Sequence, residues 1–292
     1  MREKEKVGQL ATVLEMIKFE HTLFALPFAF LGMMLAADGW PSWRVVGWIV
    51  VAMVGARSAA MGFNRLVDRH IDAANPRTAD RALPAGEISP VAVGLFVAAS
   101  AGLLLLASWQ LNPLTLKFAP WALAVVLGYS YTKRFTAFSH LVLGLALAGA
   151  PIGAWIAVRG DVTWTPVVLG AAVLCWVAGF DVLYALQDLA FDRERGLHSI
   201  PAALGTRSAL WVSALLHLAM LALLVVLPGT YAPGLGWAYW VGIAGCAVLL
   251  TYQHAIVRPG DLSRLDAAFF QANGILAVWL FVTTAIDRLL LA

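Results

Sequence analysis

Asn64 to Asp72 reads NRLVDRHID and Tyr184 to Asp192 reads YALQDLAFD. Each stretch places two aspartates four residues apart where a long apolar run ends, Asp68 with Asp72 and Asp188 with Asp192. Side chains at that spacing share one face of a helix, and ionisable groups at the edge of hydrocarbon cost enough that function is their default reading. Four carboxylates on two helix ends can hold a divalent cation. The pair of motifs therefore points to metal-bridged diphosphate chemistry in a bilayer protein.

The composition agrees with a membrane setting. Apolar residues make up 61% of the 292 and charged residues 13%, with a mean hydropathy of +0.80, outside the range of soluble domains. A bilayer asks for about 20 mostly apolar residues per helix. Nine runs approach or meet that length, at roughly 22–37, 45–63, 90–108, 114–130, 140–158, 165–186, 208–227, 236–257 and 268–286. The expected fold is all-α and polytopic, in a single domain with short loops. The opening MREKEKVGQLATVLEMIKFEH lacks the layout of a cleaved signal. Cys175 and Cys246 stand alone inside apolar runs and read as packing residues. The six histidines are scattered, which argues against a histidine metal site.

Lysine and arginine counts orient the chain. With nine spans, Arg2, Lys4, Lys6, Lys18, Arg65, Arg69, Arg77, Arg81, Lys133, Arg134, Arg193, Arg195, Arg207, Arg258 and Arg264 fall on one side, and only Arg44, Lys117, Arg159 and Arg288 on the other. That bias places the amino terminus and both acid motifs in the cytoplasm. The runs also pair off as two four-helix pseudo-repeats, about 20–138 and 139–264, followed by a final helix at about 268–290. Runs two and six both end in an acid pair, and an even number of crossings separates them, so both pairs emerge on one side as in parallel repeats.

At about 100° per residue, Arg57, Asn64, Asp68 and Asp72 share a stripe of one helix, and Asp181, Asp188 and Asp192 share one on the other. Arg57, deeper in its span, is expected to pair with Asp181. Magnesium takes oxygen ligands and commonly bridges one or two carboxylates to phosphate. Asp68 with Asp72 and Asp188 with Asp192 are the expected Mg2+ ligands, and Asn64 adds a neutral group. Arg77, Arg81, Lys133 and Arg134 are placed to bind the outer phosphate oxygens. Departure of a diphosphate leaves a cationic carbon, suited to an allylic donor and to aromatic faces such as Tyr129, Tyr131, Tyr184 and Phe180. A long apolar donor could trail into the bilayer.

On these residues the chain resembles the UbiA superfamily of intramembrane aromatic prenyltransferases. Asn64, Asp68 and Asp72 are similar to its first motif. Asp181, Tyr184, Ala185, Asp188 and Asp192 resemble its second, and YSYTKR from Tyr129 to Arg134 resembles its Y-x-x-x-K-R element. Arg65 departs from the pattern where many members carry a further acid, so it is left out of the metal set and expected to face lipid headgroups or phosphate. The segments NPRTADRALPAG and GFDVLYALQDLAFDRERGLHSIP resemble bacterial enzymes of quinone biosynthesis.

The resemblance implies nine transmembrane helices around a central cavity open laterally to lipid, in a bacterial inner membrane. It also implies Mg2+-dependent transfer of a polyprenyl chain from polyprenyl diphosphate to an aromatic hydroxy acid, 4-hydroxybenzoate or alternatively a dihydroxynaphthoate, with a new carbon–carbon bond. Arg57, Arg134 and His21 are candidates to meet the acceptor's carboxylate. An acid near the donor, or the released diphosphate, would take the ring proton. No nucleic-acid partner is expected. Two other classes compete. A CDP-alcohol phosphotransferase would need an Asp-Gly pair that the second run lacks, and a cation-coupled transporter would place its acids nearer the midplane.

Overall fold

The computed structural model describes residues 22–265 and 267–291; His21 and the basic residues Arg2, Lys4, Lys6 and Lys18 lie outside them. Nine long helices and one short one form among the described residues: α1 Thr22–Ala37, α2 Trp43–Ala74, α3 Pro90–Leu111, α4 Pro113–Thr132, α5 Ser139–Arg159, α6 Trp164–Tyr184, the short α7 Leu189–Arg195, α8 Ile200–Val226, α9 Trp237–Ile256 and α10 Asn273–Leu289. A 3₁₀ turn, Ala185–Asp188, joins α6 to α7, and a π turn, Ala267–Ala272, leads into α10. No strand forms among the described residues beyond an isolated bridge between Arg258 and Asp261. Among the described residues, six helical stretches are long and apolar enough to cross a membrane by length and composition.

Local chemistry sets several helix ends. Ser89, Asn112 and Ser199 accept the backbone N–H groups of Ala92, Thr115 and Ala202 at 3.1, 2.9 and 3.2 Å. Each of these caps is followed by proline in the first helical turn, where a missing N–H costs nothing. Gly160 and Gly196, at φ 70° and 65°, close α5 and α7 in the left-handed region. Two helices outrun their apolar stretches. α2 continues to Ala74, and α8 begins at Ile200 with a short piece set off from its apolar run by a kink at Gly205, φ 79°. Hydropathy registers contact with lipid, whereas the last turns of α2 bury Arg65, Asp68 and Asp72 and the first turn of α8 buries Ile200 and Pro201 against the protein.

α6 lies at the centre of the bundle. Trp176 is fully buried, with ring centroids 4.8 Å from Phe28 of α1 and 5.0 Å from Phe180. Met220 and Leu224 of α8, Tyr239 of α9 and Leu276 of α10 complete this core. The Trp176 indole donates to Asn273 Oδ1 at 2.9 Å, so its polar edge is satisfied in the interior. Trp43, Trp109, Trp164 and Trp237 are exposed at the end opposite the acid motifs, the pattern of an interfacial aromatic belt. At that same end Asp38, at φ 51°, accepts from the Tyr231 hydroxyl at 2.8 Å and pairs with Arg288. The Tyr231 hydrogen bond and the Arg288 charge hold the Asp38 carboxyl below its ordinary range. This clasp ties the α1–α2 turn to the end of α10, and α1 packs against α10 along the bundle.

Between lipid-embedded helices, van der Waals packing rather than exclusion of water drives association, so small residues allow the closest approach. A Cβ on Gly144 of α5 would stand 2.5 Å from the Leu174 carbonyl oxygen of α6. Backbone cannot give way as a flexible side chain can. Gly144→Ala is therefore expected to destabilise the fold by about 1–3 kcal/mol and to lower the melting temperature in detergent. Gly149→Ala, which meets nothing within 4 Å, is the control and should melt as the parent does.

Candidate active site

The ends of α2 and α6 emerge at the same end of the bundle and line one cavity of about 240 Å3. Asp68, almost fully buried, receives Lys133 Nζ at 2.5 Å, Arg134 Nη2 at 2.9 Å and Asn64 Nδ2 at 3.1 Å. One turn on, Asp72 receives Arg81 Nη1 at 2.8 Å and faces Arg65 Nη1 at 3.9 Å. Its Oδ2 is buried with no hydrogen-bond partner. Lys133 and Arg134 reach Asp68 because α4 ends beside α2; the Arg134 guanidinium is fixed there by the Ser130 and Val67 carbonyls at 2.8 and 3.1 Å.

The second motif is reached through a change of helix type. After Tyr184 the chain tightens into the 3₁₀ turn that carries Asp188, and Asp181, Asp188 and Asp192 still face one cavity. Short 3₁₀ insertions often mark functional hinges. Arg77 grips Asp188 with two parallel bonds, Nε to Oδ1 at 2.9 Å and Nη2 to Oδ2 at 2.5 Å, and Asn75 Nδ2 adds a third at 3.0 Å. Burial alone would depress the Arg77 guanidinium, but its bonds to Asp188 outweigh that and hold it above its ordinary pKa. Arg77 also donates to the Tyr184 hydroxyl at 3.2 Å. Asp192 accepts from Ser199 Oγ at 2.9 Å. The loop after the first motif therefore carries the groups that bind the second motif's leading acid.

Asn64, Asp68, Asp72, Arg77, Arg81, Tyr129, Lys133, Asp181, Tyr184, Asp188 and Asp192 all line the cavity. Arg57, Tyr131 and Arg134 are not among its lining residues. Tyr131 is 45% exposed and packs its ring edge on Phe63 at 5.9 Å, because it sits on the outer side of α4. Phe180 belongs to the apolar core. The expected Arg57–Asp181 ion pair does not form. Asp181 instead meets His140 Nδ1 at 2.7 Å, since α5 lies against α6 at that level, and Arg57 lies within electrostatic reach of Tyr129. Arg65, expected to face headgroups or phosphate, is buried beside Asn64 and Asp72 and lines the same cavity.

His140, Asn75, Thr78 and Ser199 were not expected in the cavity. Thr78 Oγ donates to the Asp72 carbonyl at 2.9 Å, holding the loop against the helix end. A histidine, an asparagine or a hydroxyl at the edge of an apolar run reads as ordinary interfacial chemistry, and only tertiary contact reveals these four.

No three His, Cys, Asp or Glu side chains among the described residues form a ready metal cage. Magnesium rarely needs one: it keeps waters and binds through one or two carboxylates plus substrate phosphate. All-oxygen acids from two helix ends on one cavity, with an Asp72 Oδ2 that accepts no hydrogen bond among the described residues, fit that mode. Basic side chains pair with three of the four acids and would balance the charge of a bound polyanion.

The profile of the UbiA prenyltransferase family matches residues 25–282. A 4-hydroxybenzoate octaprenyltransferase from Vibrio campbellii is 33% identical over 242 residues, covering 82% of this chain and 84% of that protein. The apo structure of a UbiA homolog from Aeropyrum pernix K1 shares the fold with a TM-score of 0.83 and 33% identity, over 92% of this chain and 98% of that one. A UbiA homolog from Archaeoglobus fulgidus bound to GPP and Mg2+ has a TM-score of 0.72 at 18% identity, over 94% of this chain and 99% of its own. These matches decide against the CDP-alcohol phosphotransferase and transporter readings. With its two acid motifs on one cavity, the chain belongs to the UbiA prenyltransferase family and is a multi-pass membrane transferase.

Proposed function

We propose that the chain transfers a polyprenyl group from polyprenyl diphosphate to 4-hydroxybenzoate, with Mg2+ as cofactor, and forms a carbon–carbon bond on the ring. The observation that carries this reading is the pair of aspartate sets facing one cavity that is also lined by Arg77, Arg81 and Lys133. The name of the Vibrio campbellii relative supports the acceptor, and the GPP and Mg2+ bound to the Archaeoglobus fulgidus homolog support the donor class and the metal.

Asp68, Asp72, Asp188 and Asp192 would hold the metal. Bound Mg2+ would stabilise the negative charge that builds on the departing diphosphate. Arg77, Arg81 and Lys133 would then exchange their carboxylate partners for phosphate oxygens, where charge-assisted donors are strongest. Arg134, anchored on two backbone carbonyls, keeps Asp68 oriented. Tyr129 and Tyr184 offer ring faces to the cationic carbon. The excess of basic residues at the motif end supports a reading in which that end faces the cytoplasm of a bacterial inner membrane.

A direct assay supplies purified protein with a labelled polyprenyl diphosphate and, separately, 4-hydroxybenzoate or a dihydroxynaphthoate, and identifies the product by mass. Prenylated 4-hydroxybenzoate is the expected product; turnover of the naphthoate alone would reassign the acceptor. Chelation should abolish turnover and added Mg2+ should restore it, whereas activity that survives a chelator defeats the metal assignment. Asp68→Asn and Asp188→Asn should each lower kcat by about 100-fold or more in protein that still folds and elutes as the parent does. Tyr131→Leu, which removes the ring face, should leave kcat within about twofold, as expected for a side chain outside the site; a large loss there would place Tyr131 back at the reacting centre.

A further inference from the structure

The reaction needs a group to take the proton that the acceptor's ring carbon carries when the new bond forms. We propose that Asp181 is that proton acceptor and His140 the positioning residue that holds it, an inference that rests on the function proposed above.

Both side chains line the cavity. The His140 side chain is 4% exposed and that of Asp181 24%, so the histidine is walled in while the carboxylate remains open to the cavity. The backbone N–H of Ile200 donates to His140 Nε2 at 3.3 Å. With that nitrogen accepting, the ring proton sits on Nδ1, which donates to Asp181 Oδ2 at 2.7 Å. Asp181 Oδ1 has no protein donor among the described residues. The carboxylate is thus oriented through one oxygen and available through the other.

Its depth separates it from the metal-binding acids. At 1.5 Å per α-helical residue and 2.0 Å per 3₁₀ residue, Asp181 lies about 12 Å along the axis from Asp188 and about 4.5 Å from Tyr184. That is too far to share an ion with Asp188. It is the level at which the first carbon of a chain would hang beneath a diphosphate held by the acid pairs. Arg77 and Lys133, the cavity's cations nearest Asp188, are engaged by other acids, so Asp181 is not needed as their counter-ion.

The steps balance without a further reactant. The bond from the donor's first carbon to oxygen breaks, and diphosphate leaves with the electron pair. The ring carbon beside the hydroxyl supplies its π electrons to form the carbon–carbon bond. The proton on that carbon then passes to Asp181 Oδ1, its bonding pair restores the aromatic ring, and Asp181 returns the proton to water when product leaves. General-base assistance of this kind is typically worth about 100-fold or more.

The test uses the full chain in lipid nanodiscs with Mg2+, polyprenyl diphosphate and 4-hydroxybenzoate, either unlabelled or deuterated at both ring carbons beside the hydroxyl. The parent enzyme should show no isotope effect, because diphosphate departure limits it. Asp181→Asn should lower kcat by about 100-fold and reveal an isotope effect above unity. His140→Phe should show the same effect at nearly unchanged KM for both substrates, and His140→Gln, which can still donate one hydrogen bond, should recover part of the rate. A merely structural His140 would slow the enzyme without any isotope effect. Parental rates in both Asp181→Asn and His140→Phe, or slow turnover with no isotope effect, would overturn the proposal and leave released diphosphate as the base. A parent protein that prenylates no phenolic acid would instead sink the underlying function.

Discussion

A carboxylate at the rim of a hydrocarbon slab must be compensated, and that requirement organises one whole end of this molecule. Asp68, Asp72 and Asp188 are each met by arginine or lysine, and Asp192 by a serine hydroxyl. Removing one partner from a buried pair leaves an uncompensated charge, which costs about 3–5 kcal/mol. The basic residues thus serve two states: they neutralise the acids within the cavity and are already in place for a polyanion. The same coulombic need draws α2, α4, α6 and the loop at residues 75–81 to one point.

That loop does more than connect α2 to α3. Asn75 and Arg77 cross to Asp188, Thr78 and Arg81 return to Asp72, and the Arg77 guanidinium lies over the Tyr184 ring at 5.5 Å. One short segment therefore joins the two acid motifs and touches the aromatic residue beneath them. Any movement of the loop would be felt by both carboxylate sets at once, so the geometry of the diphosphate site and the shape of the cavity beneath it are coupled.

Much of this was legible in the residues, for physical reasons that can be named. Lipid demands long apolar runs, so nine helices could be counted, and acids four apart at the ends of two runs could only share faces. The four aspartates, Asn64, Tyr129 and Tyr184 followed from that logic. Helix ends beyond the apolar runs did not, since the last turns of α2 and the first of α8 are stabilised by contacts inside the protein. The partner of Asp181 was out of reach because Arg57 and His140 both satisfy a simple charge or hydrogen-bond argument, and only the packing of α5 against α6 selects the histidine. Tyr131 lies on the outer side of α4, and a motif places a residue along a helix but does not say which way it turns. The 3₁₀ turn after Tyr184 has no signature in the apolar pattern at all.

The clasp of Asp38, Tyr231 and Arg288 joins the turn after the first described helix to the end of the last. Because ribosomes release a chain from its amino end, the face of α1 that α10 will cover stays open to lipid until every intervening segment has been threaded into the bilayer. That face can close only once α10 itself is inserted, and a chain halted before Asn273 would carry both acid motifs with that side of α1 uncovered.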